Sequence, residues 1–175
     1  IEANIKDVEE AKEKLSESMI DRLQLNEERI GDIIQSIKTV ISLPDPVGNI
    51  LFTNTRPNGM KVERISVPLG VVGIIYESRP NVTVDASILC LKSGNSVILR
   101  GGSESFNSNL QLVKTMQKAC VNIRLDKNII QFIETTDRSA VDYMLSKMSD
   151  YIDVVIPRGG KGLVKKVQES AKIPV

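Results

Sequence analysis

The sequence predicts an α/β fold: a doubly wound, mostly parallel sheet with amino-terminal helices and an extended arm. Three observations carry this. From Val71 onward, short apolar runs (VVGIIY, SVILR, IIQFI and YIDVVI) alternate with helical segments. Each run is apolar on consecutive residues, as strands covered on both faces are. The alternation repeats four times, and packing helices on both sides of one sheet is the solution that buries all of these elements. At 175 residues and 41% hydrophobic content the chain is long enough for one well-cored domain.

Residues 1–46 read as a helical segment. Ile5, Val8, Leu15, Met19 and Leu23 recur at helical spacing and predict one helix. Ile30, Ile33, Ile34, Ile37 and Ile41 predict a second, capped by Asn26 ahead of Glu27 and Glu28 and stopped by Pro44-Asp45-Pro46. Residues 47–69 read as an extended arm or hairpin, with Pro57-Asn58-Gly59 supplying a tight turn. Residues 70–175 read as the α/β core. Its helices are VTVDASILCLKSG, ended by Gly94, then Ser103 to about Val121, Asp137 to Met148, and KGLVKKVQESA. The terminal IPV is a fifth candidate strand.

Composition removes several function classes. The chain has no histidine, which excludes Ser/His and Cys/His catalysis and histidine-ligated metal within these residues. Cys90 and Cys120 sit in apolar-periodic segments without a C-x-x-C pair, so they read as reduced core residues, and no metal site is expected. The 23 basic and 22 acidic residues nearly cancel, so no nucleic acid partner is indicated. No apolar run approaches the ~20 residues needed to span a membrane, and the start IEANIKDVEE is acidic, unlike a signal peptide. The expectation is a cytoplasmic protein with no membrane partner.

Three stretches could carry chemistry. SVILRGGSES and DVVIPRGGKGL each run strand, arginine, two glycines, helix. Arg100, Gly101 and Gly102, and likewise Arg158, Gly159 and Gly160, either make short βα turns with a solvated rim arginine or hold an anion. In the second case the glycines admit a ligand, the helix start offers amides and arginine adds a planar cation. GGKGL is no Walker loop, because it lacks the four-residue gap before Gly-Lys and has Gly162 where Ser or Thr would bind magnesium. The G-x-G-x-x-G fingerprint is absent after the first strand of the core. The third stretch, YESRPNVTVDA, places Glu77, Ser78, Arg79 and Asn81 around Pro80 at a strand's carboxyl end. It is either a polar loop with a helix cap or a wall of the reaction centre.

PLGVVGIIYESRPNVTVDASILCLKSGNSVILRGGSES closely resembles the γ-glutamyl phosphate reductase branch of the aldehyde dehydrogenase superfamily. The resemblance continues through IPRGGKGLVKKV and back into MIDRLQLNEERI, SLPDPVG and TRPNGMKVERISVPLG, nearly the whole chain. It implies an aldehyde dehydrogenase cofactor-domain fold, with 70–175 as an NADP-binding core. The implied reaction is the NADPH-dependent reduction of γ-glutamyl phosphate to glutamate 5-semialdehyde with release of phosphate, in proline biosynthesis, through a thioester on a cysteine.

By the resemblance, Arg100 falls on the superfamily's lysine near the adenosine ribose, Gly101 on its proline, and Ser103 on its ribose-binding glutamate. A hydroxyl in place of that carboxylate fits a ribose 2′-phosphate and hence NADP(H), with Glu104 as a neighbouring carboxylate. Arg158, Gly159 and Gly160 fall at the superfamily's pyrophosphate turn. Tyr76 and Gly102 complete the expected cofactor-binding set. Ser78, Arg79 and Asn81 form the loop beside the acyl oxygen, and Asn107 stands where many relatives carry histidine.

The family's catalytic cysteine lies in a later domain, so no catalytic residue is expected in this chain and the nucleophile is expected beyond Val175. The chain is expected to be a fragment of a longer, homo-oligomeric protein that associates through the arm and is linked functionally to glutamate 5-kinase. The competing expectation is a non-catalytic nucleotide-binding or scaffold module with the same fold.

Overall fold

The computed structural model describes residues 1–175. Three helices open the chain: α1 (Glu2–Ala11), α2 (Glu17–Leu23) and α3 (Glu27–Ser42). The single helix expected across Ile5 to Leu23 is therefore two. Ser16 takes an extended backbone (φ −68°, ψ 156°) and starts α2 afresh. The spacing hides this break, because Val8 and Leu15 stand seven residues apart and keep the same helical phase on either side. At α3 the expected cap is present, with the Asn26 side chain accepting from the Arg29 amide at 2.8 Å. The helix ends at Ser42, ahead of the Pro-Asp-Pro stop.

The arm is an antiparallel hairpin of β1 (Ile50–Thr55) and β2 (Lys61–Ile65). Gly59 closes its turn with φ +84°, a left-handed conformation that suits glycine. The core follows as β3 (Val71–Tyr76), α4 (Pro80–Lys92), β4 (Ser96–Arg100), α5 (Phe106–Asn122), β5 (Ile130–Phe132), α6 (Ser139–Lys147), β6 (Val154–Arg158) and α7 (Lys161–Ser170). One 3₁₀ turn, Ser103–Ser105, leads into α5, and another, Lys127–Ile129, leads into β5. The expected IPV strand does not form. Only the Pro174 carbonyl reaches the sheet, accepting from the Val155 amide at 2.8 Å, while Ile173 tucks into the core.

The four strands lie parallel in the order β5-β4-β3-β6. Their two faces account for the run-on apolar sequences. Val72, Ile74, Tyr76, Val97 and Leu99 pack under α4 and α5 against Val82, Cys90 and Val113. Ile75, Ile98 and Val155 face the other way, against Val141, Met144 and Leu145 of α6 and Val167 of α7. Each fully buried aliphatic side chain contributes about 1.5–3 kcal/mol relative to exposure, so a strand facing two layers gains at every residue. The amino-terminal helices add a smaller cluster in which Leu25 and Ile33 pack on Val84 of α4.

Candidate functional site

The strand order sets where a ligand can sit. The chain winds from β3 out to β4 and β5, then returns to place β6 on the opposite side of β3. The carboxyl ends of β3 and β6 flank the point where the winding reverses, the usual crevice of such sheets. There Tyr76 lies opposite Arg158, and Ile75 lies opposite Arg100 on the other side.

A cavity of about 510 Å³ opens at this edge. It gathers Tyr76, Ser78, Arg79, Arg100, Gly102 and Ser103 from the expected set. The lining also includes the carboxylates Glu77 and Glu104, both marked in the sequence, and three cations that were not: Arg22 from α2, Arg138 before α6 and Lys166 on α7. Five cations against two carboxylates make the cavity favourable to an anion. Arg158 is directed elsewhere. It lines a more apolar groove with Leu69, Leu89 and Ile156, so the two arginines of the paired motifs do not converge. Asn81 faces a separate cavity beside α3.

The two glycine turns also differ. At the first, the α5 amides are already taken. Asp7, reaching across from α1 and only 3% exposed, accepts from the Ser108 amide at 2.7 Å, the Ser108 hydroxyl at 2.6 Å, the Asn107 amide at 3.2 Å and the Asn107 side chain at 2.8 Å. Asn107 thus helps dock α1. At the second turn an exposed carboxylate, Glu77, accepts from the Gly160 amide at 2.6 Å. A Cβ on Gly159 would stand 2.7 Å from Glu77 Cδ, so the glycine makes room for that side chain. One turn is closed by a buried residue with four donors, and the other by a surface residue with one. Only the α7 end keeps an amide that an incoming anion can contest.

Arg100 is 7% exposed, and its guanidinium turns back into the protein. It donates to the Gly101 carbonyl and, at 3.1 and 3.4 Å, to the carbonyls of Thr136 and Asp137, tying the end of β4 to the loop after β5. Burial lowers its pKa from the ordinary arginine value. Arg138, in the same cavity wall, makes no ion pair. Ser103 does not leave the wall without a carboxylate, because Glu104 fills that role and accepts from the Ser78 hydroxyl. Burial alone would raise the Glu104 carboxyl. The Ser78 hydrogen bond, with contributions from its own backbone amide, Ser103 and the Arg138 charge, outweighs burial and holds it below the usual range.

Tyr76 is 2% exposed, and its phenol belongs to a buried chain of hydrogen bonds. It meets the Thr83 hydroxyl at 2.7 Å, Thr83 donates to Asn109 Oδ1 at 2.8 Å, and Asn109 donates to Ser105 at 2.9 Å. Burial pushes the phenol well above its ordinary pKa, so it stays protonated. Both cysteines are free and buried. Burial raises the Cys90 thiol to about 11 and also raises that of Cys120, and both lie among core residues away from the cavity.

No protein-family model matches the chain. Over 174 residues it is 53% identical to γ-glutamyl phosphate reductase of Moorella thermoacetica, covering 99% of this chain and 41% of that protein. With the same enzyme of Persephonella marina it shares 54% over 175 residues, covering 99% and 39%. The crystal structure of γ-glutamyl phosphate reductase from Thermotoga maritima matches with a TM-score of 0.94 at 47% identity, over 99% of this chain and 42% of that one. The chain is homologous to the γ-glutamyl phosphate reductases. It spans about two fifths of the length of these curated relatives. The yeast γ-glutamyl phosphate reductase structure also matches, with a TM-score of 0.89 at 35% identity over 99% of this chain and 44% of that one. A propionaldehyde dehydrogenase of Rhodopseudomonas palustris, at 18% identity and a TM-score of 0.65 over 99% of this chain and 46% of that one, shares the fold with this reductase homologue.

Proposed function

We propose that the protein carrying this chain reduces L-glutamate 5-phosphate to L-glutamate 5-semialdehyde with NADPH, releasing phosphate, in proline biosynthesis. These residues supply the wall that binds the dinucleotide. The observation that carries the reading is the likeness to γ-glutamyl phosphate reductases along 99% of the chain, at about half identity. The cationic cavity at the reversal of strand order supports it physically.

The residues present fit such a cofactor. Gly159 and Gly160 would lie under the pyrophosphate once Glu77 swings aside, and Gly102 and Ser103 would face the adenosine ribose. Arg138, with no ion pair, is the cation open to a ribose 2′-phosphate, while Arg100 shapes the floor. A nicotinamide cofactor held by these residues would supply the hydride that reduces the acyl carbon. Ser78 and Arg79, at the loop after β3, stand on the substrate side. With both thiols buried and protonated, we assign the thioester-forming nucleophile to no residue of this chain and expect these residues alone to lack reductase activity.

The arm supports a homo-oligomer. Ile50, Leu51 and Phe52 are each more than half exposed on a two-stranded hairpin, an apolar surface that a second copy would cover. The reading places the protein in the cytoplasm beside a glutamate 5-kinase that supplies the acyl phosphate. No helix here is long and apolar enough to cross a membrane.

The competing reading is a non-catalytic nucleotide-binding or scaffold module of the same fold, and its scaffold form draws on Glu77 filling the α7 end. Calorimetric titration of NADP and NAD separates the two, since binding of neither would favour the scaffold. If NADP binds, Ser103→Glu should weaken it more than NAD. An equal loss would remove Ser103 from the 2′-phosphate account.

A further inference from the structure

A second cavity, about 410 Å³, adjoins the first, and Arg22 and Arg79 stand in the walls of both. It lies between α2, α3 and the amino end of α4, and its lining is polar except for Leu25 and Ile33. Its charged groups divide by whether the chain already satisfies them. Arg29 is bound to Asp21 at 2.7 Å and to the carbonyls of Asp21 and Gln24. Asp85 accepts from Ser36 at 3.0 Å and from Asn81 at 3.2 Å. That leaves the side chains of Arg22, Arg79 and Asp32, which are exposed and have neither an ion-pair nor a hydrogen-bond partner.

A reductase that joins a dinucleotide to a second substrate needs two adjoining spaces meeting at the reacting carbon. The acyl phosphate of an α-amino acid brings two anionic groups, carboxylate and phosphate, and one ammonium. The unsatisfied groups here are two guanidinium cations and one carboxylate, the complementary set. Because the ammonium and carboxylate of an amino acid sit on one carbon, they call for an acid and a base on neighbouring elements. Asp32 on α3 and Arg22 on α2 provide that pair. The acyl phosphate must instead point to the shared wall, where Arg79 follows Ser78.

We propose that this cavity is the amino-acid subsite: Asp32 receives the substrate's ammonium, Arg22 its α-carboxylate, and Arg79 its phosphate. The proposal rests on the reductase reading above and adds the residues that select the substrate.

The test uses the full-length protein in the reverse direction, following NADPH absorbance during phosphate-dependent oxidation of glutamate 5-semialdehyde. Asp32→Asn should raise the KM for the semialdehyde on the order of tenfold, the usual scale for one charged hydrogen bond, with kcat kept. The KM for 5-oxopentanoate, which lacks the amino group, should not change. Arg79→Gln should raise the KM for phosphate, and calorimetric NADP binding should stay within about twofold in Asp32→Asn, whose side chain lies outside the dinucleotide cavity. If Asp32→Asn still prefers the aminated aldehyde as strongly as the parent does, the subsite is wrong while the reductase reading stands. If the parent itself fails to turn over the semialdehyde, both fall.

Discussion

The Glu77 carboxylate accepts a hydrogen bond from the Gly160 amide at 2.6 Å, bridging the loop after β3 and the start of α7. A negative group therefore already sits at the positive end of that helix, where a dinucleotide's pyrophosphate would have to arrive. The contact is a single exposed hydrogen bond, so a phosphate can displace it, but displacement carries an electrostatic cost. Glu77→Gln should tighten NADP binding on the order of fivefold, the scale of one charge at a helix terminus. Calorimetry on the full-length protein checks this. Weaker binding would mean that Glu77 touches the cofactor rather than standing in its place.

Asp7 holds the corresponding position at α5 but is buried, and four donors converge on it. Asp7→Ala would orphan the Ser108 amide and detach α1 from α5, at a cost of about 3 kcal/mol. Glu77→Ala, at the surface, should change stability by less than ~0.5 kcal/mol. Urea midpoints of the two variants measure the contrast. Equal losses would show that the two carboxylates play the same part.

These two carboxylates also mark where sequence reading stops. The strands were legible because burial on both faces leaves consecutive apolar residues, as in VVGIIY. The Asn26 cap and the Gly59 turn were legible because backbone chemistry reaches only a few residues. Asp7 meets Ser108 from 101 positions away, and Glu77 meets Gly160 from 83. No local pattern encodes such partners. The two Arg-Gly-Gly turns therefore read alike in sequence, yet they differ in burial, in the direction of their arginines and in what fills them. The cavity's position followed from the order of strands and helices, but the membership of Arg138 and Arg22 required the packed chain. Both come from segments with no phosphate-loop character, Arg22 from the amino-terminal helical segment.

The glycines of the two turns should respond differently to a methyl group. A Cβ on Gly101 would collide with Asn109 and lie 3.1 Å from the Tyr76 ring, inside the buried Tyr76-Thr83-Asn109 network. Neither neighbour can yield without breaking those hydrogen bonds. Gly101→Ala should therefore destabilise by about 1–3 kcal/mol. On Gly159 the methyl meets only the Glu77 side chain, which can rotate into solvent. Gly159→Ala should leave the melting temperature nearly unchanged and release the Gly160 amide, seen as faster hydrogen exchange at that residue. A protected Gly160 amide in this variant would mean another acceptor holds it.

Glu104 gives the cavity wall a pH dependence with a definite sign. Burial would raise its carboxyl, but the hydrogen bond from Ser78, with its own backbone amide, Ser103 and Arg138, holds it below the usual glutamate range. A carboxyl depressed in the folded state stabilises the fold at pH above its unfolded value. That contribution fades as pH falls through the folded value. Glu104→Gln should therefore melt at a lower temperature than the parent near pH 7, and the gap should narrow steadily as the pH drops below about 4. Ser78→Ala should reproduce part of the neutral-pH loss, because it removes the principal donor to that carboxylate. Melting curves of the three proteins between neutral and acidic pH measure this. A gap that stays constant across the range would mean that the Glu104 side chain stabilises the wall by packing, independently of its charge.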